Sequence, residues 1–215
     1  MKSFLVLDNK KESELPTEFR DNDIRYPESL VEIFLNEFTK EGDVVFDPFT
    51  GYGTTLRVAE RMGRKGFGTE YDEKRCNYAK STLESPDNLI CGDALRTSKY
   101  NIPQIDFSIT SPLYMQKGDQ NPFRTVLTEK TEYEQYLQDM KSVYTQIKNK
   151  LVAGGRAVIE VSNVKRGGVV TTLAWDIAEA VSDVLHFEGE IVLGTKEGYG
   201  YGYDHSYALV FKKEV

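Results

Sequence analysis

The sequence contains little of what would support a metal centre, a disulfide framework or a membrane anchor. Its 215 residues include only two cysteines, Cys76 and Cys91, and two histidines. The cysteines form no CxxC pair, so we expect no disulfide framework, no bound metal and a reducing, cytoplasmic location. We find no signal peptide and no apolar run of roughly 18 residues, so we expect an unsecreted protein without a membrane span.

An excess of basic residues is also missing. The chain has 27 Lys and Arg against 34 Asp and Glu, which gives a formal net charge of −7. Tight non-specific binding of nucleic acid needs clustered cations, so the acidity argues against it. An enzyme that holds its substrate transiently through a few local cations is still compatible with this charge.

Short runs rich in β-branched and aromatic residues alternate with helical periods. Seven runs predict strands, at residues 44–46, 66–69, 88–91, 107–110, 157–161, 190–193 and 207–211. Helices are predicted with Pro27 in the first turn, from the capping box at Thr131 to a stop at Gly154-Gly155, and from Thr172. We therefore expect one α/β domain over residues 1–215, whose mostly parallel seven-stranded sheet carries helices on both faces and ends in an antiparallel hairpin. Residues 1–24 have no pattern and are expected to form a mobile arm.

A glycine-containing turn follows the first parallel strand, where open α/β sheets bind ligands. It reads Phe46-Asp47-Pro48-Phe49-Thr50-Gly51-Tyr52-Gly53-Thr54-Thr55. The two glycines let the backbone pass close to a ligand, and Asp47 can accept from a cationic or N–H-bearing group. Glu70 ends the second strand and could hold both ribose hydroxyls, while Asp93 follows the third and could accept from an adenine amino group.

Two alternatives to this cofactor turn stay open. The glycines could simply make a tight strand-to-helix turn, or Gly51-x-Gly53 could begin the GxGxxG of a dinucleotide-binding fold. Leu56 occupies the place of the third glycine, and Asp47 would repel a pyrophosphate. These features favour a sulfonium cofactor that carries an amino-acid ammonium group.

The fourth strand ends in Thr110-Ser111-Pro112-Leu113-Tyr114. Together with DPFxGxGTT, this SPPY-like motif resembles the DNA amino-methyltransferase family, which acts on cytosine N4 or adenine N6. The resemblance extends over nearly the whole chain and implies the Rossmann-like class I methyltransferase fold, S-adenosylmethionine as cofactor and Ser111, Pro112, Leu113 and Tyr114 as the catalytic element. The cofactor residues that it implies are Arg25, Tyr26, Asp47, Pro48, Phe49, Gly51, Gly53, Thr54, Glu70, Tyr71, Asp93, Ala94 and Thr110.

The tetrapeptide at residues 111–114 has the groups that amine methylation needs. An exocyclic amino group is a poor nucleophile, and acceptors such as the Ser111 hydroxyl and the Pro112 carbonyl can draw its hydrogens out of conjugation. Tyr114 offers a face on which a flipped base stacks, without a covalent adduct. Leu113 replaces the family's second proline, which puts the carbonyl geometry or the preferred substrate in question. A serine in the first place resembles the cytosine-N4 enzymes more than the adenine-N6 enzymes.

Three loops are expected at the same sheet edge as the turn, and they carry cations for phosphates and tyrosines for bases. The candidate substrate-binding residues are Lys117, Arg124, Asn163, Lys165, Arg166, Tyr199, Tyr201 and Tyr203. Each loop taken alone could equally be an exposed turn. Trp175 and His186 need no chemistry, and His205 could either lie in the site or cap a strand.

The motifs together predict an S-adenosylmethionine-dependent methyltransferase that acts on cytosine N4 in DNA, with a homodimer as an open possibility. The chain has no obvious target-recognition domain and is acidic, so an RNA (rRNA or tRNA) cytosine-N4 enzyme stays open, as does an adenine-N6 DNA enzyme. A non-catalytic subunit of the same fold is the remaining alternative. Leu113 favours that alternative, whereas the intact cofactor turn opposes it.

Overall fold

The computed structural model describes residues 2–8, 11, 14–20, 23, 25–123, 131–195 and 201–214. The strands are β1 Phe4–Leu7, β2 Val44–Asp47, β3 Lys65–Glu70, β4 Leu89–Cys91, β5 Ile105–Thr110, β6 Leu151–Val161, β7 Val164–Arg166, β8 Val169–Thr171, β9 His186–Thr195 and β10 His205–Lys212. The α-helices are α1 Thr17–Arg20, α2 Glu28–Phe38, α3 Thr54–Arg61, α4 Glu73–Lys80, α5 Glu132–Lys150 and α6 Leu173–Ser182. Two 3₁₀ helices span Pro86–Asn88 and Ala94–Lys99.

One eight-stranded sheet organises the chain, in the order β1-β9-β10-β6-β5-β2-β3-β4. Only β10 runs antiparallel to its neighbours, β9 and β6. The mostly parallel sheet and the terminal hairpin are therefore confirmed. The predicted count of seven strands was one too low, because β1 lies in the segment expected to be a mobile arm. Its four consecutive apolar residues show no alternation, and they pair in parallel with β9.

Helices cover both faces of the sheet, as predicted. On one face α5 and α6 bury a continuous apolar core that includes Tyr136, Met140 and Ile177. On the other face α2 and α3 pack over the sheet through residues such as Phe34 and Val58. Because every parallel strand has its carboxyl end at one edge, the loops that follow β2, β3, β4 and β5 meet there.

Local sequence signals explain where the helices begin. Pro27 immediately precedes α2, and Thr131 with Glu134 forms the predicted capping box of α5. The predicted stop of α5 at Gly154-Gly155 was wrong. The helix ends at Lys150 and β6 starts with the next residue, so both glycines lie within the strand. A Cβ at Gly155 would approach the Asp106 carbonyl oxygen to 3.0 Å, so the glycine permits close strand packing.

Cys76 and Cys91 form a disulfide, which corrects the expectation that they would stay unpaired. Cys76 lies in α4 and Cys91 ends β4, and 15 positions separate them in the chain. The packing of α4 against β4 brings them together, and no spacing motif announces that contact. No helix of the described residues is long and apolar enough to span a membrane, and these residues contain no cluster of three potential metal ligands.

Candidate functional site

The glycine turn and the SPLY tetrapeptide start from neighbouring strands. Asp47 ends β2 and Thr110 ends β5, and these two strands pair in parallel at the centre of the sheet. The Thr110 hydroxyl donates a hydrogen bond of 2.5 Å to Asp47 Oδ1. The two segments therefore leave the same sheet edge side by side, which is the geometry that transfer between a bound cofactor and a bound amine requires.

A single cavity of about 300 Å³ opens at this edge. Its lining includes the whole tetrapeptide and all the predicted cofactor residues except Gly53 and Thr110. Its lining consists of Arg25, Tyr26, Asp47, Pro48, Phe49, Thr50, Gly51, Tyr52, Thr54, Glu70, Tyr71, Arg75, Gly92, Asp93, Ala94, Ser111, Pro112, Leu113, Tyr114, Pro122, Phe123 and Tyr201.

The Asp47 carboxylate accepts more hydrogen bonds from within the protein than its position in the sequence suggested. Its Oδ1 accepts from the Phe49 backbone N–H at 2.9 Å as well as from Thr110, and its Oδ2 accepts from the Thr55 and Tyr26 hydroxyls. Burial raises the pKa of Asp47, and the hydrogen bonds from Thr110 and Thr55 oppose that rise. The carboxylate thus holds the turn against β5 and contributes negative charge at the cavity wall.

The turn itself depends on its glycines. Gly51 and Gly53 have φ values of +56° and +86°, in the left-handed region that other residues rarely adopt. A Cβ at Gly53 would also come within 3.2 Å of the Ala79 side chain. The Gly51 N–H donates to Glu70 Oε2 at 2.8 Å, which ties the turn to the end of β3.

Glu70 and Asp93 keep acceptor capacity that faces the cavity. Each Glu70 oxygen accepts one backbone N–H, from Gly51 or from Asp72, at 2.8 Å. A carboxylate oxygen has two lone pairs, so one lone pair on each Glu70 oxygen remains for a ligand hydroxyl. Burial raises the pKa of Glu70. Asp93 caps the following 3₁₀ helix through Oδ1, which accepts from the Leu95 N–H at 2.9 Å.

Arg25 and Tyr26 close the cavity from the segment before α2. The Arg25 side chain is almost fully buried and forms a two-pronged ion pair with Asp23, at 2.8 and 2.7 Å. The neighbouring carboxylate raises the pKa of Arg25, so the guanidinium stays charged at the cavity wall. The Tyr26 hydroxyl contacts both Asp47 and Thr55.

The tetrapeptide is held in place although its second proline is replaced. Leu113 offers its carbonyl oxygen to the Tyr136 hydroxyl, which donates at 2.8 Å. Burial raises the pKa of Tyr136, so the hydroxyl stays protonated as a donor. The Ser111 hydroxyl, in contrast, makes no hydrogen bond with any described residue and faces the cavity. A contact from α5 therefore supplies a constraint that the missing proline would otherwise provide.

Tyr114 is fixed at its hydroxyl and covered at its ring. The hydroxyl accepts from the Ser162 N–H at 2.8 Å and lies 3.5 Å from Glu160 Oε2, which it faces as a donor. The ring centroid of Tyr201 lies 4.5 Å from that of Tyr114, with 38° between the planes. Tyr201 has a φ of +52°, a conformation that is strained for a non-glycine residue.

Of the other candidate substrate residues that the structure describes, none lines the cavity. The Lys117 ammonium lies 5.5 Å from the Tyr133 ring, and buried Asn163 accepts from the Ala174 N–H at the start of α6. Lys165 and Arg166 are exposed on the β7–β8 hairpin, where Arg166 pairs with Asp119. Tyr203 contacts the His205 ring edge-on, at 5.5 Å between centroids. Arg124 and Tyr199 lie outside the described residues.

The sequence reasoning missed several wall residues. They are Thr50, Tyr52, Arg75, Gly92, Pro122 and Phe123. Thr50, Tyr52 and Gly92 lie within or beside the predicted motifs and could have been included by proximity. Phe123 comes from the segment after the tetrapeptide and contacts Phe49 at 5.8 Å between ring centroids. No local pattern marks Phe123, because only the tertiary fold brings it to the turn.

Comparison with known proteins agrees with this geometry. Residues 3–81 match the family model N6_N4_Mtase, described as DNA methylase. Over that segment, which is less than half of its length, the chain is similar to this DNA methylase family. The matched segment includes the glycine turn and Glu70 but ends before the tetrapeptide at residues 111–114.

Two curated relatives each match a part of the chain. The orphan methyltransferase M.BamHII of Bacillus amyloliquefaciens is 36% identical over 80 residues, which are 37% of this chain and 29% of that protein. The type II methyltransferase M2.DpnII of Streptococcus pneumoniae is 42% identical over 59 residues, which are 27% of this chain and 22% of that protein. The matches thus span less than a third of the length of either relative.

The likeness among solved structures extends over most of the chain. The crystal structure of TrmN from Thermus thermophilus superposes with a TM-score of 0.64 at 17% identity, and the match covers 94% of this chain and 55% of that one. At this identity the similarity establishes the fold, which is the Rossmann-like class I methyltransferase fold that the resemblance implied.

Proposed function

We propose that this protein is an S-adenosylmethionine-dependent methyltransferase that methylates an exocyclic amino group of a nucleic-acid base, with cytosine N4 in DNA as the first candidate substrate. The observation that carries the proposal is the shared cavity. The ends of β2, β3 and β4 contribute a cofactor-type wall, and the end of β5 contributes the Ser-Pro-Leu-Tyr segment. An enzyme of this class needs both walls in one cavity.

The residues of the wall suit S-adenosylmethionine as the cofactor. Glu70 has one lone pair on each oxygen for the two ribose hydroxyls, and Asp93 stands at the next strand end for the adenine amino group. Buried Asp47 favours a cationic ligand, and the Arg25 guanidinium can face a carboxylate. The charge pattern does not suit a pyrophosphate, which buried Asp47 beside the turn would repel.

The tetrapeptide would prepare the amine. S-adenosylmethionine, when bound, would supply an electrophilic methyl group for the amine nitrogen, with S-adenosylhomocysteine as the leaving group and the released proton passing to water. The Ser111 hydroxyl and the Pro112 carbonyl accept the amine N–H groups and draw them out of conjugation with the ring. Ser111 is suited to this because no described residue occupies its hydroxyl.

Tyr114 and Tyr201 would define the base-binding slot. Their ring centroids are 4.5 Å apart, so no base fits between them as they stand. A base sandwiched between two rings needs about 7 Å between them, twice an ordinary stacking distance. We infer that Tyr201 occupies the stacking face of Tyr114 until an extruded base displaces it. The Tyr114 ring itself stays in place because its hydroxyl is bound to Ser162.

The β7–β8 hairpin would contact the nucleic-acid backbone. Lys165 and Arg166 are exposed there, next to a tip formed by Gly167 and Gly168. The hairpin is joined to the base slot, because the Lys165 N–H donates to the Tyr201 carbonyl at 2.8 Å. These contacts would position the substrate without reading its sequence.

The test is methyl transfer from isotope-labelled S-adenosylmethionine to duplex DNA, single-stranded DNA and RNA, followed by mass spectrometry of the nucleosides. We expect the label on cytosine N4 in DNA. Label on adenine N6 or in RNA cytosine would correct the substrate, whereas binding of cofactor without transfer to any polymer would support a non-catalytic subunit. Ser111→Ala is the matched control and should transfer nothing.

A further inference from the structure

The sheet has two edge strands, which differ in how they are protected against pairing with a strand of another molecule. At one edge, β4 has only three residues and follows a 3₁₀ helix that contains Pro86 and Asp87. At the other edge, β1 presents the four apolar residues Phe-Leu-Val-Leu, with no charge, proline or bulge among them. Edge strands are usually protected by such features because a bare edge pairs readily with another strand.

The outer side of β1 carries backbone groups that no other described strand uses. The Ser3 carbonyl accepts from the Val192 N–H, so Ser3, Leu5 and Leu7 direct their backbone groups toward β9. Because these groups alternate along a strand, those of Phe4 and Val6 point away from the sheet. No described strand pairs with them. The side chains of Phe4 and Val6 are also exposed, at 55% and 59%.

We propose that β1 pairs antiparallel with β1 of a second copy of this chain, which forms a two-fold symmetric dimer with one continuous sheet. A two-fold axis through Leu5 places Phe4 opposite Val6 of the second copy and Leu5 opposite its own counterpart. The outward backbone groups of Phe4 and Val6 then face each other, as a hydrogen-bonded antiparallel pair requires.

The charges at the ends of β1 select this register. Lys2 and Asp8 are exposed, flank the strand and form no ion pair with any described residue. With the axis at Leu5, each Lys2 lies opposite Asp8 of the second copy, so both ends of the pairing join opposite charges. Shifting the axis to Phe4 or Val6 keeps the hydrogen-bond pattern but places Lys2 opposite Val6, or Phe4 opposite Asp8. A second copy therefore complements this strand in apolar pairs, hydrogen bonds and charge.

The contact is short, so the dimer is expected to be weak and concentration-dependent. Sedimentation velocity across about a hundredfold range of concentration would show a monomer–dimer equilibrium for the wild type. Lys2→Asp places like charges at both ends and should weaken the dimer about tenfold. The double variant Lys2→Asp/Asp8→Lys restores opposite charges at both ends and should recover wild-type association.

Two valine variants provide a second, matched test. Val6→Lys introduces a charge into the edge and should leave the chain monomeric. Val170→Lys changes another exposed valine, in the separate β7–β8 hairpin, and should dimerise as the wild type does. A far-UV spectrum and thermal melt of each variant verify that it is folded. The proposal is overturned if the wild type is monomeric throughout, if Val6→Lys still dimerises, or if the double charge swap fails to restore association.

Discussion

The hydrogen bond from Tyr136 to the Leu113 carbonyl makes a quantitative prediction. Tyr136→Phe removes one hydroxyl and leaves the carbonyl of Leu113, a residue that lines the cavity, without its 2.8 Å donor. The net contribution of such a hydrogen bond is about 0.5–1.5 kcal/mol, so we expect the free energy of unfolding to fall by that amount. Loss of the constraint on residues 111–114 should also lower kcat by about tenfold, while the Kd for the cofactor stays unchanged.

Tyr144 provides the matched control. It lies about two turns further along α5 and is also fully buried, but its hydroxyl has no hydrogen-bond partner among the described residues. Tyr144→Phe removes a polar group that is already unsatisfied, so we expect its stability to be unchanged or slightly higher. Urea unfolding would measure the stability of Tyr136→Phe and Tyr144→Phe, and steady-state methyl transfer would measure their kcat. Equal stability and equal kcat in the two variants would refute a positioning role for Tyr136.

Three further predictions follow from the site and the fold. Ser111→Ala should abolish methyl transfer and leave cofactor affinity within about twofold in calorimetry, since Ser111 is assigned to the amine; a large loss of cofactor affinity would contradict that assignment. Glu70→Gln should raise the cofactor Kd at least about tenfold, because two backbone N–H groups compete for its one remaining acceptor oxygen. Burial raises the pKa of Glu70, so this carboxylate becomes protonated at a higher pH than an ordinary glutamate does. The affinity of the wild type for the cofactor should therefore fall as the pH is lowered through this raised pKa. A calorimetric affinity that does not change with pH would count against a role of Glu70 in cofactor binding. Cys91→Ala should lower stability by about 3 kcal/mol, the loop-entropy value for a crosslink of this span, and an unchanged melting temperature on reduction would contradict a structural role for the disulfide.

The layout of the site was predictable because its residues lie at the carboxyl ends of successive parallel strands. Asp47, Glu70 and Asp93 follow three successive parallel strands, and the tetrapeptide follows the next one in the chain. In a parallel sheet these positions converge at one edge whatever the details of packing. The sequence therefore indicated most of the residues that line the cavity, including Tyr71 and Ala94.

Contacts between distant elements could not be predicted in this way. The bond from Tyr136 to Leu113 joins a helix to a loop 23 positions earlier, and the helical pattern indicates only that Tyr136 faces the core. The four donors around Asp47 come from β5, α3, the turn and the segment before α2, so its saturation was invisible in the sequence. Similarly, β1 lacks the alternation that marks a half-buried strand.

The central claim is that the glycine turn and the tetrapeptide act on one methyl group. A crystal structure with bound S-adenosylhomocysteine tests it most directly. We predict that the ribose lies on Glu70 and that the sulfur lies within about 8 Å of Ser111 Oγ, since a methyl group and a hydrogen-bonded amine must fit between them. A ligand bound away from this cavity, or one whose sulfur points away from residues 111–114, would contradict the account.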